Sequence, residues 1–266
     1  MRTRFLRGTT AENNSLTLPA GEIAIDTERK AVRLHDGTTP DGFECVGTKA
    51  YAPPVGPGPE VLQAGDTQLG YYGELSNTEL FTPSQLRSQV GLSAGQSTPG
   101  SVATGWLKFA YQGKILFVSK QVLNRSWSGN NIFRANLEAL NIVYGGQSAP
   151  LVTKDTFQFI PRLLTGGDAD PASTSGGEWN DLIYRVHVDD PTGSNWAGYT
   201  NQDLDINIPD GDVATSCQEY HATSTASHVL RGGYRDSPNS IFTFETSQSL
   251  GGNHYAYWRP VLELVQ

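Results

Sequence analysis

Glu22-Ile23-Ala24-Ile25-Asp26-Thr27-Glu28-Arg29-Lys30-Ala31-Val32-Arg33-Leu34 is the stretch whose reading decides the fold. Ile23 and Ile25 fall on one face, and Val32 and Leu34 repeat the spacing after a polar Thr27–Lys30 turn. Period-2 alternation on both sides of a short polar break predicts a β-hairpin. Asp36-Gly37 supplies a further turn that tolerates positive φ. The apolar face is too small to be the core of an isolated monomer, so residues 1–51 read as a β module stabilised by association with copies of itself.

Ala52-Pro53-Pro54-Val55-Gly56-Pro57-Gly58-Pro59 follows, and such a run holds neither a helix nor a central strand. Residues 52–60 therefore read as an extended, polyproline-like linker. Residues 61–104 read as a small adaptor and a second linker. Within it, Thr82-Pro83-Ser84-Gln85-Leu86-Arg87-Ser88-Gln89-Val90-Gly91 predicts a short helix with Thr82 as N-cap, Pro83 at the first position and Gly91 just past the end.

Residues 105–266 carry all five tryptophans and form the main folding unit. Trp106-Leu107-Lys108-Phe109 and Lys114-Ile115-Leu116-Phe117-Val118 predict a strand pair about Gln112-Gly113. Ile132, Phe133, Leu137 and Leu140 predict one short helix. Trp179, Leu182, Ile183 and Val186 make a second helical stripe. The segment from Tyr255 to Val265 is strand-like, with a bend or an edge at Pro260. Thr165–Gly177, Asp189–Gly211 and Gly232–Asn253 read as long polar loops. The fold class is mainly β with some α (α+β).

Composition narrows the function. The 266 residues carry a formal charge of −8, which excludes the basic footprint that nucleic-acid binding requires. No apolar run approaches a membrane span, and the amino end has no apolar signal-peptide core, so neither membrane insertion nor secretion is expected. Cys45 and Cys217 fall in different domains by this reading, so no structural disulfide is expected, in keeping with folding in a reducing cytoplasm.

Arg4-Phe5-Leu6-Arg7-Gly8-Thr9-Thr10-Ala11-Glu12-Asn13-Asn14, with Gly21–Thr27 and His35-Asp36-Gly37-Thr38-Thr39-Pro40, resembles the N-terminal module of bacteriophage tail-fibre and tropism-determinant proteins. That resemblance implies a trimeric β-prism. Val229-Leu230-Arg231-Gly232-Gly233-Tyr234 and Tyr257-Trp258-Arg259-Pro260-Val261-Leu262-Glu263-Leu264 are similar to the closing strands of phage C-type lectin-like domains. The disulfides of animal C-type lectins are missing. Of their paired calcium-sugar motifs only Trp179-Asn180-Asp181 is spelled, on a helical stripe and well before the terminal strands. Trp179 is therefore expected in the core, and the triplet is read as coincidence.

Tested for chemistry, the sequence offers little. Asp168, Asp170, Asp203, Asp205, Asp210 and Asp212 have i, i+2 spacing in loops, so calcium is the one cofactor alternative. The competing reading is solvated turn aspartates that cap short helices, and no cofactor is expected. The five histidines form no zinc spacing. Cys217 with His221 is a weak nucleophile–base pair, no Gly-x-Ser-x-Gly elbow occurs, and no enzyme activity is expected.

Recognition fits better. Tyr234, Arg235, Asn239, Phe242, Phe244, Asn253, His254, Tyr255 and Tyr257 supply the rigid rings and adaptable polar groups that binding loops use. In the tropism-determinant relatives this segment carries receptor contacts. About half of the rings should point inward, because strands alternate faces. Arg231 and Arg259 are expected to hold loops by hydrogen bonds.

The resemblance therefore implies a virion protein, assembled in the bacterial host cytoplasm: a homotrimeric tail-fibre or tail-tip adhesin. Its expected partners are its own copies, other virion proteins and a host cell-surface glycan or protein. The alternative is a structural accessory, such as a head-decoration, collar or whisker protein, that uses the same domain for docking.

Overall fold

The computed structural model describes residues 5–28, 31–40, 42–46, 56–92, 98–99, 105–125, 132–167, 176–206, 214–221, 224–233, 241–242, 244–248 and 256–265. Met1–Val55 and Gly56–Gln266 form two compact units. No helix among the described residues is long and apolar enough to cross a membrane.

The smaller unit is a four-stranded sheet in the order β1-β2-β3-β4, from β1 (Phe5–Gly8), β2 (Ile23–Asp26), β3 (Ala31–Leu34) and β4 (Phe43–Val46). The expected hairpin is β2–β3, with Ile23 opposite Leu34 and Ile25 opposite Val32. β1 runs parallel to β2, and the connection between them contains α1 (Thr10–Asn14). Thr9 caps α1 by accepting from the Glu12 amide, and the Glu12 carboxylate accepts from the Thr9 amide at 2.8 Å. Asn13 donates to the Gly8 and Thr9 carbonyls, and Thr10 Oγ1 to Asp26. Among the sheet residues whose burial is described, those that become buried are small or polar: Ala24, Asp26, Ala31 and Arg33, the last paired with Asp26 at 3.4 Å.

The larger unit begins with β5 (Ala64–Gly65), β6 (Leu69–Leu75), α2 (Pro83–Val90), β7 (Thr98–Pro99), β8 (Trp106–Tyr111), β9 (Lys114–Ser119) and β10 (Asn124–Arg125). It continues with α3 (Ile132–Ala139), β11 (Val152–Lys154), β12 (Phe157–Arg162) and a wide π-type turn, Trp179–Ile183, that runs into α4 (Tyr184–Val186). It closes with β13 (Ala214–His221), β14 (Ser224–Arg231), β15 (Phe244–Gln248), β16 (Ala256–Tyr257) and β17 (Val261–Leu264). A seven-stranded sheet has the order β11-β12-β17-β9-β8-β6-β5, a four-stranded sheet the order β15-β14-β13-β16, and β10 pairs with β7.

Local chemistry explains these elements. β8 and β9 join through Gln112 and Gly113, both at positive φ (51° and 77°), the turn whose twist suits a two-residue hairpin. In α2, Thr82 accepts from the Gln85 amide and Gly91 ends the helix in the left-handed region, as the sequence predicts. Leu107, Phe109, Leu116, Val118 and Val261 of the large sheet pack with Trp179, Leu182, Ile183 and Val186. Pro260 lies where the chain passes from β16 in one sheet to β17 in the other.

Three expectations need correction. The adaptor at 61–104 does not stand apart, because β6 pairs with β8 along its length and belongs to the large sheet. The linker expected at 52–60 is anchored over the residues described. Buried Lys108 donates to the carbonyls of Gly56 (3.4 Å), Pro57 (2.9 Å) and Pro59 (2.5 Å), and lies over the Tyr72 and Phe117 rings. Proline carbonyls remain acceptors although proline has no N–H, so a proline-rich stretch suits a buried cation. The loop expected at 232–253 contains β15, paired with β14 from Ser227–Gln248 to Arg231–Phe244.

Candidate functional site

The residues proposed for recognition lie between the end of β14 and β16. Tyr234, Arg235, Asn239, Asn253, His254 and Tyr255 fall outside the described residues. Phe242 is 46% exposed, and its ring meets Tyr184 at 5.5 Å in an edge-on arrangement. Phe244 opens β15, opposite Arg231. Tyr257, in β16, is only 5% exposed, which places its ring in the core and away from any contact face.

What the structure brings together is the seat beneath this segment. Trp179 is fully buried and donates its ring N–H to the Ile241 carbonyl at 2.9 Å, so it holds the residue next to Phe242. Gly232 has φ 88° and lies flat on the same indole: a Cβ there would sit 2.8 Å from the ring. No other residue fits that approach without displacing Trp179.

Arg231 donates to the Gly166 carbonyl (3.0 Å), Asn180 Oδ1 (2.9 Å) and the Tyr184 hydroxyl (2.6 Å). Arg259 is fully buried and donates to Thr215 Oγ1, to the carbonyls of Ser119 and Lys120, and to the Leu204 carbonyl. Burial lowers the Arg259 guanidinium to about 10, so it remains charged at neutral pH. Both guanidinium groups approach the face of Trp179, at 5.8 and 5.9 Å. The expectation that these arginines hold loops is met in detail. Arg259 joins the end of β9, the Leu204 turn and β13 at the point where the chain changes sheets.

Trp179-Asn180-Asp181 is occupied internally. Trp179 is in the core, as expected. Asn180 bonds Arg231 and the Gly176 carbonyl, and Asp181 accepts from the Tyr111 hydroxyl at 2.8 Å. Asp203 accepts from the Thr200 amide and hydroxyl, and Asp205 is buried at positive φ. Asp168, Asp170, Asp210 and Asp212 lie outside the described residues. Among the described residues no group of three or more His, Cys, Asp or Glu side chains could hold a metal ion. Cys217 is a buried free thiol whose pKa is driven up by burial, which opposes the thiolate a nucleophile needs.

Sequence reading missed the partners of Trp179 and Arg231. Ile241 is 62 residues from Trp179, and Gly166 is 65 from Arg231. The doublet Gly232-Gly233 after Arg231 was the available signal for close backbone approach.

Comparison with known proteins places the amino end. Residues 4–39 match the family model described as the major tropism determinant N-terminal domain, a span that includes β1, α1, β2 and β3. A search of curated proteins gave no match. Among solved structures, the chain is similar to "Major Tropism Determinant U1 Variant" at 10% identity, over 99% of this chain and 100% of that one, with a TM-score of 0.26. "Major Tropism Determinant P3c Variant" matches at 11% identity, over 99% and 100%, with a TM-score of 0.20. At residues 4–39 the chain is similar to the major tropism determinant N-terminal domain.

Proposed function

We propose that this protein is a bacteriophage virion adhesin that binds a host-cell surface receptor through its larger unit. The observation that carries the reading is the match of residues 4–39 to the major tropism determinant N-terminal domain. In this reading the smaller unit forms a homotrimer and attaches to other virion proteins. The larger unit is a C-type lectin-like domain that presents the 232–257 segment to a glycan or protein on the cell. The seat of Trp179, Arg231 and Arg259 supports the reading, because variable contact residues need a scaffold held in place by its own hydrogen bonds. Exposed Phe242 is the contact residue best placed on that seat. Three sites on one stalk raise avidity by about 10²–10⁴-fold without a new contact. The reading assigns no catalysis and no cofactor.

The test is binding of purified, fluorescently labelled protein to a panel of bacterial hosts, with light scattering on the same sample. Saturable binding by a trimer is expected, and it should be lost in the variant Phe242→Ala/Tyr255→Ala. An intact trimer that binds no strain, including one the parent phage infects, overturns the adhesin and leaves the structural accessory.

A further inference from the structure

We infer that the larger unit holds a second binding site, a cleft that takes a primary ammonium group. It is independent of the adhesin reading. The cleft, about 720 Å³, lies among the β8–β9 turn, β12, the start of the π-type turn and β13.

Its floor is a row of alternating charges. Lys114 Nζ meets Glu263 Oε1 at 2.8 Å, and Glu263 Oε2 meets Arg162 Nε at 3.3 Å. Arg162 then grips both oxygens of Glu178, at 2.7 and 2.5 Å, and Glu178 also accepts from the Thr165 amide. The Arg162 and Glu178 side chains are 8% and 4% exposed, so this pair is a fixed, desolvated element of the floor. Arg162 and Glu178 answer one another and leave little for a ligand, whereas Lys114 is 56% exposed at the end of the row.

Glu219 differs. It is half-buried on the cleft wall, and among the described residues its carboxylate accepts from the Gly166 amide, at 3.1 and 2.9 Å. One N–H does not saturate a carboxylate, which offers about four acceptor positions. Among the residues that line the cleft, two cations, Lys114 and Arg162, face three carboxylates, Glu178, Glu219 and Glu263, while Arg231 lies behind the wall as the further cation that Glu219 feels. The neutral groups add acceptors. Gln218 spends its Nε2 on the Leu163 carbonyl, and Tyr111 spends its hydroxyl proton on Asp181. Tyr144, 57% exposed, adds an aromatic surface.

The matching ligand is therefore small, cationic and rich in donors. An ammonium has three N–H donors and no acceptor, and its carbon stem can lie against the Tyr144 ring. An anion would meet the excess of carboxylates among the lining residues, and a neutral polyol would bring donors without the positive charge that Glu219 favours. An amino sugar or a lysine side chain can each supply the group.

The experiment is ligand-observed saturation-transfer NMR, with affinities from calorimetry, on the full chain. The probes are glucosamine, its neutral relative N-acetylglucosamine, and Nα-acetyl-lysine amide. Glucosamine, acetyl-lysine amide or both should bind saturably and at least about tenfold more tightly than N-acetylglucosamine, which is 1.4 kcal/mol. The tighter of the two names the source of the amine. Glu219→Gln keeps an oxygen for the Gly166 amide and should weaken amine binding at least about tenfold with unchanged thermal unfolding. Tyr144→Ala, on the surface, should weaken it a few-fold. Equal binding of glucosamine and N-acetylglucosamine, amine binding unaffected by Glu219→Gln, or no binding of either amine at millimolar concentration overturns the proposal.

Discussion

In the smaller unit, β2 buries Ala24 and Asp26 and leaves Ile23 and Ile25 half-buried, whereas in the larger unit β9 buries every residue from Ile115 to Ser119. Both strands are rich in β-branched and aliphatic residues, and the difference lies in what covers them. β9 runs between β8 and β17. Leu116 and Val118 pack in the cluster with Trp179, while Phe117 meets Phe159, which in turn meets Phe81. β2 packs with α1, a helix of five residues whose contacts to the sheet include hydrogen bonds from Thr10 and Asn13. Its buried positions are therefore small or polar, and the isoleucines are left on the other side. Leu34 (41% exposed) and Phe43 (56%) continue that uncovered face, in register with Ile23. Alternation in sequence names two faces and does not say which one the monomer buries.

Four perturbations would break or sharpen this contrast. The largest effect is expected from Trp179→Ala. It should cost about 3–5 kcal/mol in the larger unit, read by denaturant unfolding, because it opens a cavity and frees the Ile241 carbonyl and the two stacked arginines. An effect below about 1 kcal/mol would mean that the larger unit is not organised around this indole.

Next is the smaller unit's own buried charge. Arg33→Met leaves Asp26 buried without its cation and should cost about 3 kcal/mol, much of it recovered in Arg33→Met/Asp26→Leu. Full recovery would mark the pair as a device of specificity, whereas none would mean that α1 itself needs the carboxylate for Thr10.

Lys108→Met comes third. It removes three hydrogen bonds to carbonyls and should cost about 1–3 kcal/mol, with faster amide exchange from Gly56 to Glu60. Lys108 also carries a pH signature. Burial lowers its pKa to about 8 from 10.5. Between those values the unfolded chain binds more protons than the folded one, so stability rises with pH across that window. The rise should be absent from Lys108→Met.

The smallest effect on folding is expected from Leu34→Asp. Chain stability at high dilution should change by no more than about 0.5 kcal/mol, since the side chain is exposed. Self-association, measured by sedimentation, should fall sharply. Unchanged association would place the contact between copies elsewhere.

How much of this was legible depended on whether the determinants were local. The β8–β9 hairpin, α2 and the 179–186 stripe follow from turn chemistry, capping and period, and each was readable from its own residues. β13 was not: Ala-Thr-Ser-Cys-Gln-Glu-Tyr-His over Ala214–His221 shows no clean alternation, and its pairing with β14 passes through register shifts. β15 was hidden for a similar reason, since Phe-Glu-Thr-Ser-Gln is polar and becomes a strand by pairing with β14. The anchoring of the proline-rich segment was also out of reach. A lone Lys108 among apolar residues reads as an outward-facing strand position, and its acceptors lie about fifty residues back, at separations of 49 to 52. At the recognition segment, composition pointed to Phe242 and Tyr257 alike, and burial now separates them.

The place of β17 in the large sheet has a consequence for biosynthesis. Residues 261–264 lie between β12 and β9, so an interior strand of the sheet is translated after all its other strands. A nascent chain that has not yet released Val261 holds two partial sheets, β11-β12 on one side and β9-β8-β6-β5 on the other, each with an open edge. Closure therefore waits for the ribosome, and a message cut short before this strand yields a chain with two unpaired edges rather than a slightly shorter protein.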